Sequence, residues 1–133
     1  MIVFDTHVWV WWVSDPKYLS TAARKAADEA KAKPRNGIYL SSISVWEVAL
    51  LVAKGRLQLT MKVGDWIRRS EALPFLNFVP VDNAVALRSV HLPGSFHADP
   101  CDRIIVATAQ SLGADLITKD EKIRNYPHVK TVW

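Results

Sequence analysis

Five carboxylates stand where an acid is out of keeping with its neighbours. Asp5 closes the apolar run Ile2 to Phe4. Glu47 lies in ISVWEVALLVA, where Ser44 is the only other polar residue between Ile43 and Ala53. Asp99 and Asp102 sit in HADPCDRIIVATA, and Asp102 falls on the face of Ile105, Ala109 and Leu112 at helical spacing. Asp120 follows the apolar run in LITKDEKI. Taken singly, each has a purely structural explanation. Asp5 and Asp120 suit helix N-caps. Ser44 to Glu47 has the spacing of a capping box. Asp99 and Asp102 would both serve a positive helix end. The set is harder to explain, because acids gathered at one edge of a sheet repel and their pKa values rise. A divalent cation removes that cost. Oxygen ligands without paired Cys or His select hard cations, Mg²⁺ or Mn²⁺. Such a site activates water and stabilises a charged phosphoryl transition state.

The neighbours of these acids allow competing chemistry. His7 and His97 flank them, and two histidines could act as acid and base in a metal-free ribonuclease. A zinc site could combine His with Asp. Nothing in the spacing specifies either. Thr118 could hydrogen-bond a carboxylate, and Thr6 is a second hydroxyl placed to support the cluster. Arg103, Lys119 and Lys122 adjoin the acids and suit a phosphate backbone, whereas Arg68 and Arg69 read as solvated surface. Cys101 reads as a small buried residue, not a nucleophile. Trp9, Trp11 and Trp12 cannot all face one way on a helix, so at least one is expected to look outward, towards a partner.

The elements that position these residues follow from periodicity and punctuation. Residues 2–5 form a buried strand. A surface helix over 20–33 starts at the N-cap Ser20 and is stopped by Pro34 and Gly37. A second strand over 38–41 leads into a helix over 43–54, stopped by Gly55. A helix over 65–73 ends at Pro74, a third strand lies within 75–81, and a helix over 82–91 is capped by Asp82. Residues 93–100 form a loop. Pro100 keeps Asp99 out of the next helix, so Asp102 opens it and Gly113 ends it. A fourth strand over 115–118, a short helix over 120–125 and a fifth strand within 129–133 complete the chain. Alternation of this kind gives a parallel sheet covered on both faces. Ligands of such sheets bind beyond the carboxyl ends of the strands, the edge to which Asp5 and Asp120 belong.

The 133 residues suit one domain over 1–133. Half are hydrophobic and 23% charged, which is a globular composition and not a disordered one. No stretch reaches the ~20 apolar residues a membrane span needs, and no basic segment precedes the first apolar run, so no signal peptide is expected. A single cysteine excludes an internal disulfide and points to a reducing compartment, the cytoplasm. The net charge of +4 permits a polyanionic partner without requiring one.

The combination IVFDTHVWVWW, SSISVWEVALLVAKGRL, HADPCDRIIVATA and LITKDEKI, in this order, resembles the PIN-domain ribonucleases, and within them the VapC toxins of bacterial and archaeal toxin–antitoxin pairs. The resemblance runs from Ile2 to about Val132. It implies a three-layer α/β/α fold with a five-stranded parallel sheet, and Mg²⁺- or Mn²⁺-dependent cleavage of RNA by metal-activated water. Carried over by position, the family's acids fall on Asp5, Glu47, Asp102 and Asp120. Asp99 belongs to a variant of the motif, and Thr118 matches a small hydroxyl that supports the cluster. The usual aromatic or leucine at position 101 is cysteine here. The resemblance also implies a homodimer and a VapB-like antitoxin that blocks the cleft. A dehalogenase-type phosphatase would need an acid where His7 stands, and a receiver domain needs an acidic pair absent near Asp5. A catalytically inactive PIN-fold module that binds protein or RNA is the alternative of a different class. The presence of all four acids argues against it.

Overall fold

The computed structural model describes residues 1–33 and 37–133. Five strands form one all-parallel sheet: β1 (Ile2–Phe4), β2 (Ile38–Ser41), β3 (Leu76–Val79), β4 (Asp115–Ile117) and β5 (Thr131–Val132), in the spatial order β3-β2-β1-β4-β5. The helices are α1 (Thr6–Ser14), α2 (Thr21–Lys31), α3 (Ser42–Ala53), α4 (Val63–Glu71), α5 (Asn83–Val90), α6 (Pro100–Leu112) and α7 (Glu121–Arg124), with a 3₁₀ turn at Pro16–Tyr18.

Strand alternation divides the core in two. Ile2, Phe4, Ile38, Leu40 and Ile117 face one side, where they pack with Val8 and Trp9 of α1, the alanines of α2, and Val48 and Trp66. Val3 and Leu116 face the other side, against Val85 of α5, Ile105, Val106 and Ala109 of α6, and Ile123 of α7. The result is the expected α/β/α sandwich. The strands read as continuous apolar runs because both faces are covered.

The chain leaves β1 for β2 and β3 on one side, then returns to β4 and β5 on the other. The order therefore reverses between β1 and β4, the place where an open parallel sheet leaves a crevice at its carboxyl edge. Ile2 pairs with Asp115 and Phe4 with Ile117, so this register carries Asp5 and Thr118 out of the sheet side by side.

Several boundaries depart from the sequence expectation. The tryptophan-rich segment after Asp5 is a full helix, α1, although Val8, Val10 and three indoles are weak helix formers. Burial of Val8 and Trp9 outweighs propensity here. Helix α6 opens at Pro100, not at Asp102. Proline needs no amide partner in a first turn, and Asp99 is the N-cap, its Oδ1 accepting from the Asp102 amide at 3.1 Å. The capping box at Ser44 does not form. Helix α3 starts earlier, with Ser41 as N-cap accepting from the Ile43 amide at 3.2 Å. Helix α4 runs over Val63–Glu71, α2 ends at Lys31, and β3 is confined to Leu76–Val79. Pro34, one expected stop of α2, lies outside the described residues. Gly37 acts instead as the entry to β2: a Cβ there would meet the Phe75 carbonyl oxygen at 2.6 Å. Gly113 does end α6, with φ of 61° in the left-handed region. Among the described residues no helix is long and apolar enough to cross a membrane.

Candidate active site

The carboxyl edge brings the predicted acids into one cleft. Asp5, Glu47, Asp99, Asp102 and Asp120 all line a cavity of about 390 Å³, with Thr6, His7, Trp11 and Arg56 among the other wall residues. A second hollow of the same volume, between Val13, Leu59, Met61, Trp66 and Leu73, contains no carboxylate. Chemistry, not size, distinguishes the two.

Asp5 is the centre of the arrangement. It is 4% exposed, caps α1 by accepting from the Thr6 amide at 2.7 Å, and accepts the Thr118 hydroxyl on its other oxygen at 2.7 Å. Each oxygen keeps acceptor capacity. The Thr118 hydroxyl also accepts from the Asp120 amide at 3.0 Å, and Asp120 caps α7 through the Ile123 amide at 3.1 Å. One buried hydroxyl thus links the acids at the ends of β1 and β4. Thr6 pairs with Ser44 at 2.8 Å, tying the first turn of α1 to α3 below Glu47. Capping and site roles coexist: the explanations offered for Asp5 and Asp120 separately are correct, and both still face the cleft.

The electrostatics match a site built to take positive charge. Burial pushes the Asp5 carboxyl up to about 6, against the lowering effect of the Thr118 and Thr6 hydrogen bonds, and Asp120 and Asp99 add repulsion. Burial also raises Glu47 and Asp102, again reinforced by the neighbouring acids. These are the two causes by which clustered carboxylates resist ionisation. The Cys101 thiol is pushed up to about 12, chiefly by burial and then by the nearby acids, which removes it as a nucleophile.

The histidines are held in other roles. His7 Nε2 accepts from the Lys119 amide at 3.1 Å, so the ring proton lies on Nδ1, which faces Asp5 at 3.5 Å. Burial lowers the pKa of His7. Protonating Nε2 would break the Lys119 bond, so His7 is a neutral wall residue, not an acid–base shuttle. His97 donates to Asp102 at 2.7 Å, a contact the sequence did not reveal because Phe96 to Asp99 is a loop with no periodicity.

The expected phosphate contacts separate in the structure. Arg103 does not face the cleft as a free cation. Its guanidinium donates to the carbonyls of Ser89, Val90, Phe96 and His97 at 2.8 to 3.2 Å. The Ser89 and Val90 carbonyls belong to the last turn of α5, which lacks helical partners. Lys119 is exposed beside Trp11, 5.8 Å from its ring, and Lys122 is exposed on α7. Arg56, which sequence reasoning passed over, is a cation in the cleft wall. Of the three neighbouring indoles, Trp9 is fully buried on Trp66 and Phe78. Trp12 packs on Phe4 and Phe75. Trp11, partly exposed like Trp12, lines the cleft, edge-on to His7 and tilted against Trp133.

A family model for the PIN domain matches residues 2–129. The chain belongs to the PIN-domain family. Across 99% of its length this PIN domain is 36% identical to Ribonuclease VapC22 of Mycobacterium tuberculosis, covering 98% of that protein. It superposes on a toxin–antitoxin complex from Klebsiella pneumoniae with a TM-score of 0.63 and 26% identity, covering 97% of this chain and 95% of that one. The fold also matches VapBC2 from Rickettsia felis bound to a DNA fragment from their promoter, with a TM-score of 0.69, 18% identity and coverage of 98% and 97%.

The donor set of this PIN domain suits a hard cation. Every candidate ligand is a carboxylate oxygen; among the described residues no thiolate lines the cleft, and the ring nitrogens of His7 are engaged by the Lys119 amide and Asp5. Among the described residues no three such side chains converge tightly enough to enclose an ion as they stand. Mg²⁺ does not require that. It keeps several waters and is held by one or two carboxylates, whereas a structural zinc needs a closed set.

Proposed function

We propose that this chain is a metal-dependent endoribonuclease and the toxin of a VapBC-type toxin–antitoxin pair. The observation that carries the reading is the cleft at the β1/β4 reversal, where buried Asp5 and half-buried Glu47 and Asp102, all with raised pKa values, gather beside Asp99 and Asp120. Full-length similarity to a ribonuclease supports RNA as the substrate. Similarity to a toxin–antitoxin complex supports an antitoxin partner. A homodimer accords with the same reading.

Asp5, Glu47, Asp102 and Asp120, with Asp99 at the rim, would hold Mg²⁺ or Mn²⁺. When bound, such an ion lowers the pKa of water and offsets charge on the phosphate. The chain's own contribution is positioning. Thr118 fixes Asp5 and the backbone before Asp120. Thr6 and Ser44 fix the start of α1 against α3. His7, neutral and tied to Lys119, leaves no histidine pair to assist attack by the RNA's own 2′-hydroxyl. Hydrolysis by water with departure of the 3′-oxygen leaves a 5′-phosphate and a 3′-hydroxyl. Lys119, Lys122 and Arg56 lie at or near the rim, where cations favour a phosphate backbone.

The test is end-group analysis of RNA cut by the purified protein. Cleavage that stops in EDTA, leaves 5′-phosphates and is lost in Asp5→Asn and Asp102→Asn is the expected result. Cyclic phosphate ends formed in EDTA would overturn the metal mechanism. A well-folded protein that binds RNA without cutting it would be the inactive module instead.

A further inference from the structure

We propose that His97 is a positioning residue for Asp102, and that Arg103 sets His97 in place; this rests on the metal-dependent ribonuclease reading above. The geometry is a relay through three links. The His97 Nε2–H donates to Asp102 Oδ2 at 2.7 Å. His97 stands in the loop before α6, where Gly94 to Asp99 has no regular structure to fix it. That loop is gripped by Arg103, whose Nη1 donates to the carbonyls of Phe96 at 2.9 Å and His97 at 3.2 Å. The same guanidinium reaches back to Ser89 and Val90 at the end of α5, and it lies over the Phe96 ring, 6.0 Å from its centroid.

The relay explains why these residue types are needed. Asp102 is in the first turn of α6, and its backbone amide is already fixed by Asp99. Its side chain still has two free torsions, and a lone carboxylate at a half-buried rim would sample several rotamers. An imidazole N–H holding Oδ2 fixes the plane of this carboxylate, which lines the cleft. Groups behind a ligating side chain commonly set its orientation in this way, and removing them weakens metal binding about 10–100-fold. Arg103 is suited to the second link because one planar fork satisfies four carbonyls from two segments. A lysine, with one nitrogen, cannot span them. The run from His97 to Arg103 therefore works as one unit: Asp99 caps the helix, His97 orients Asp102, and Arg103 locks the loop that carries His97.

The experiment compares wild type, His97→Ala, His97→Gln and Arg103→Lys. Mn²⁺ affinity is measured by calorimetry, kcat and KM on a short RNA, and melting temperature without metal. His97→Ala is expected to bind Mn²⁺ about 10–100-fold more weakly and to lose kcat more than KM, with the metal-free melting temperature near wild type. His97→Gln places an amide N–H at similar reach and should recover most of the affinity. Arg103→Lys should weaken Mn²⁺ binding in the same direction. Wild-type Mn²⁺ affinity in His97→Ala overturns the proposal, and so does a loss that His97→Gln does not recover. A loss that merely follows the unfolded fraction also overturns it, since that marks a structural role. If wild type cuts RNA and binds Mn²⁺ while His97→Ala does both equally well, only this inference falls. If wild type does neither, the ribonuclease reading itself falls, and this inference with it.

Discussion

The hydroxyl of Thr118 donates to Asp5 Oδ2 at 2.7 Å, joining residues 113 positions apart in the chain. The same oxygen accepts from the Asp120 amide, so a fully buried side chain uses donor and acceptor at once. Thr118→Val keeps the shape and removes both bonds. A buried carboxylate that loses this hydroxyl donor costs about 1–3 kcal/mol, and the Asp5 pKa should rise further, since this bond is what lowers it most. Thr118→Ser should restore much of the loss. Urea melts of the three proteins, with cleavage assays on the same samples, check this. A Thr118→Val protein as stable and as active as wild type would remove Thr118 from the site.

Asp5 makes the metal-free protein less stable as pH rises. Its carboxyl sits at about 6 when folded, against an ordinary 3.8. A raised acid prefers to be protonated in the fold. Its contribution is fully favourable below the ordinary value, declines between 3.8 and 6, and is a constant penalty above. At 1.36 kcal/mol per unit the penalty is on the order of 3 kcal/mol. Asp5→Asn lacks it. The Asn side-chain oxygen can still accept from the Thr6 amide, and its NH₂ can donate to Thr118. In EDTA, Asp5→Asn should be more stable than wild type at roughly pH 8, with the gap closing towards roughly pH 4. Denaturant melts across that range measure the gap directly. A gap that widens on acidification would contradict the burial argument.

Much of this was legible in the residues, and the failures have physical causes. The strands were readable because parallel strands covered on both faces are unbroken apolar runs, as in Ile2 to Phe4. Asp5, Glu47 and Asp120 were readable because each interrupts such a run or follows one, and Asp102 because it shares the apolar face of its helix. Helix α1 was legible only from its cap at Asp5 and not in its extent, since its Val and Trp content argues against a helix and the burial of Val8 and Trp9 decides for it. The start of α6 was misplaced by treating Pro100 as a barrier, when a proline in the first turn is a favourable start and Asp99 a ready cap. Arg103 looked like a phosphate contact because charge is visible in a sequence and carbonyl partners are not. The pairing of His97 with Asp102 depends on a loop path that no spacing rule encodes.

The tryptophans of α1 should separate sharply on truncation. Trp9 is fully buried, packs on Trp66 with ring centroids 4.5 Å apart, and donates to the Ser70 hydroxyl at 3.1 Å. Trp9→Ala leaves a large cavity and an unpartnered hydroxyl, at a cost of about 3–5 kcal/mol. Trp11 is half-buried at the cleft, and its loss should cost less stability while disturbing His7 and Lys119, which rest against it. Thermal melts of Trp9→Ala and Trp11→Ala, with cleavage rates corrected for folded fraction, test the contrast. Equal destabilisation would place Trp11 in the core proper. A folded Trp11→Ala with unchanged cleavage would make its position at the cleft incidental.

Cation binding should be visible without any substrate. Burial and mutual repulsion raise the Asp5, Glu47 and Asp102 carboxyls, so the metal-free cleft carries an electrostatic penalty at neutral pH. An ion that binds only the folded chain stabilises it by mass action, by about 2.7 kcal/mol at a hundredfold excess over its Kd. For a domain of this size that corresponds to a rise of several degrees in melting temperature. Mn²⁺ or Mg²⁺ at millimolar concentration should therefore raise the melting temperature of wild type well beyond what KCl of equal ionic strength does. The rise should shrink in Asp102→Asn, which removes one charge but leaves the N-cap at Asp99 intact. Asp5→Asn should start from a higher metal-free melting temperature and gain little from the ion, because the repulsion is already relieved. That opposite pattern, a higher baseline with a smaller response, separates a shared cation site from a general salt effect. Equal metal-induced shifts in all three proteins would place the ion elsewhere on the surface.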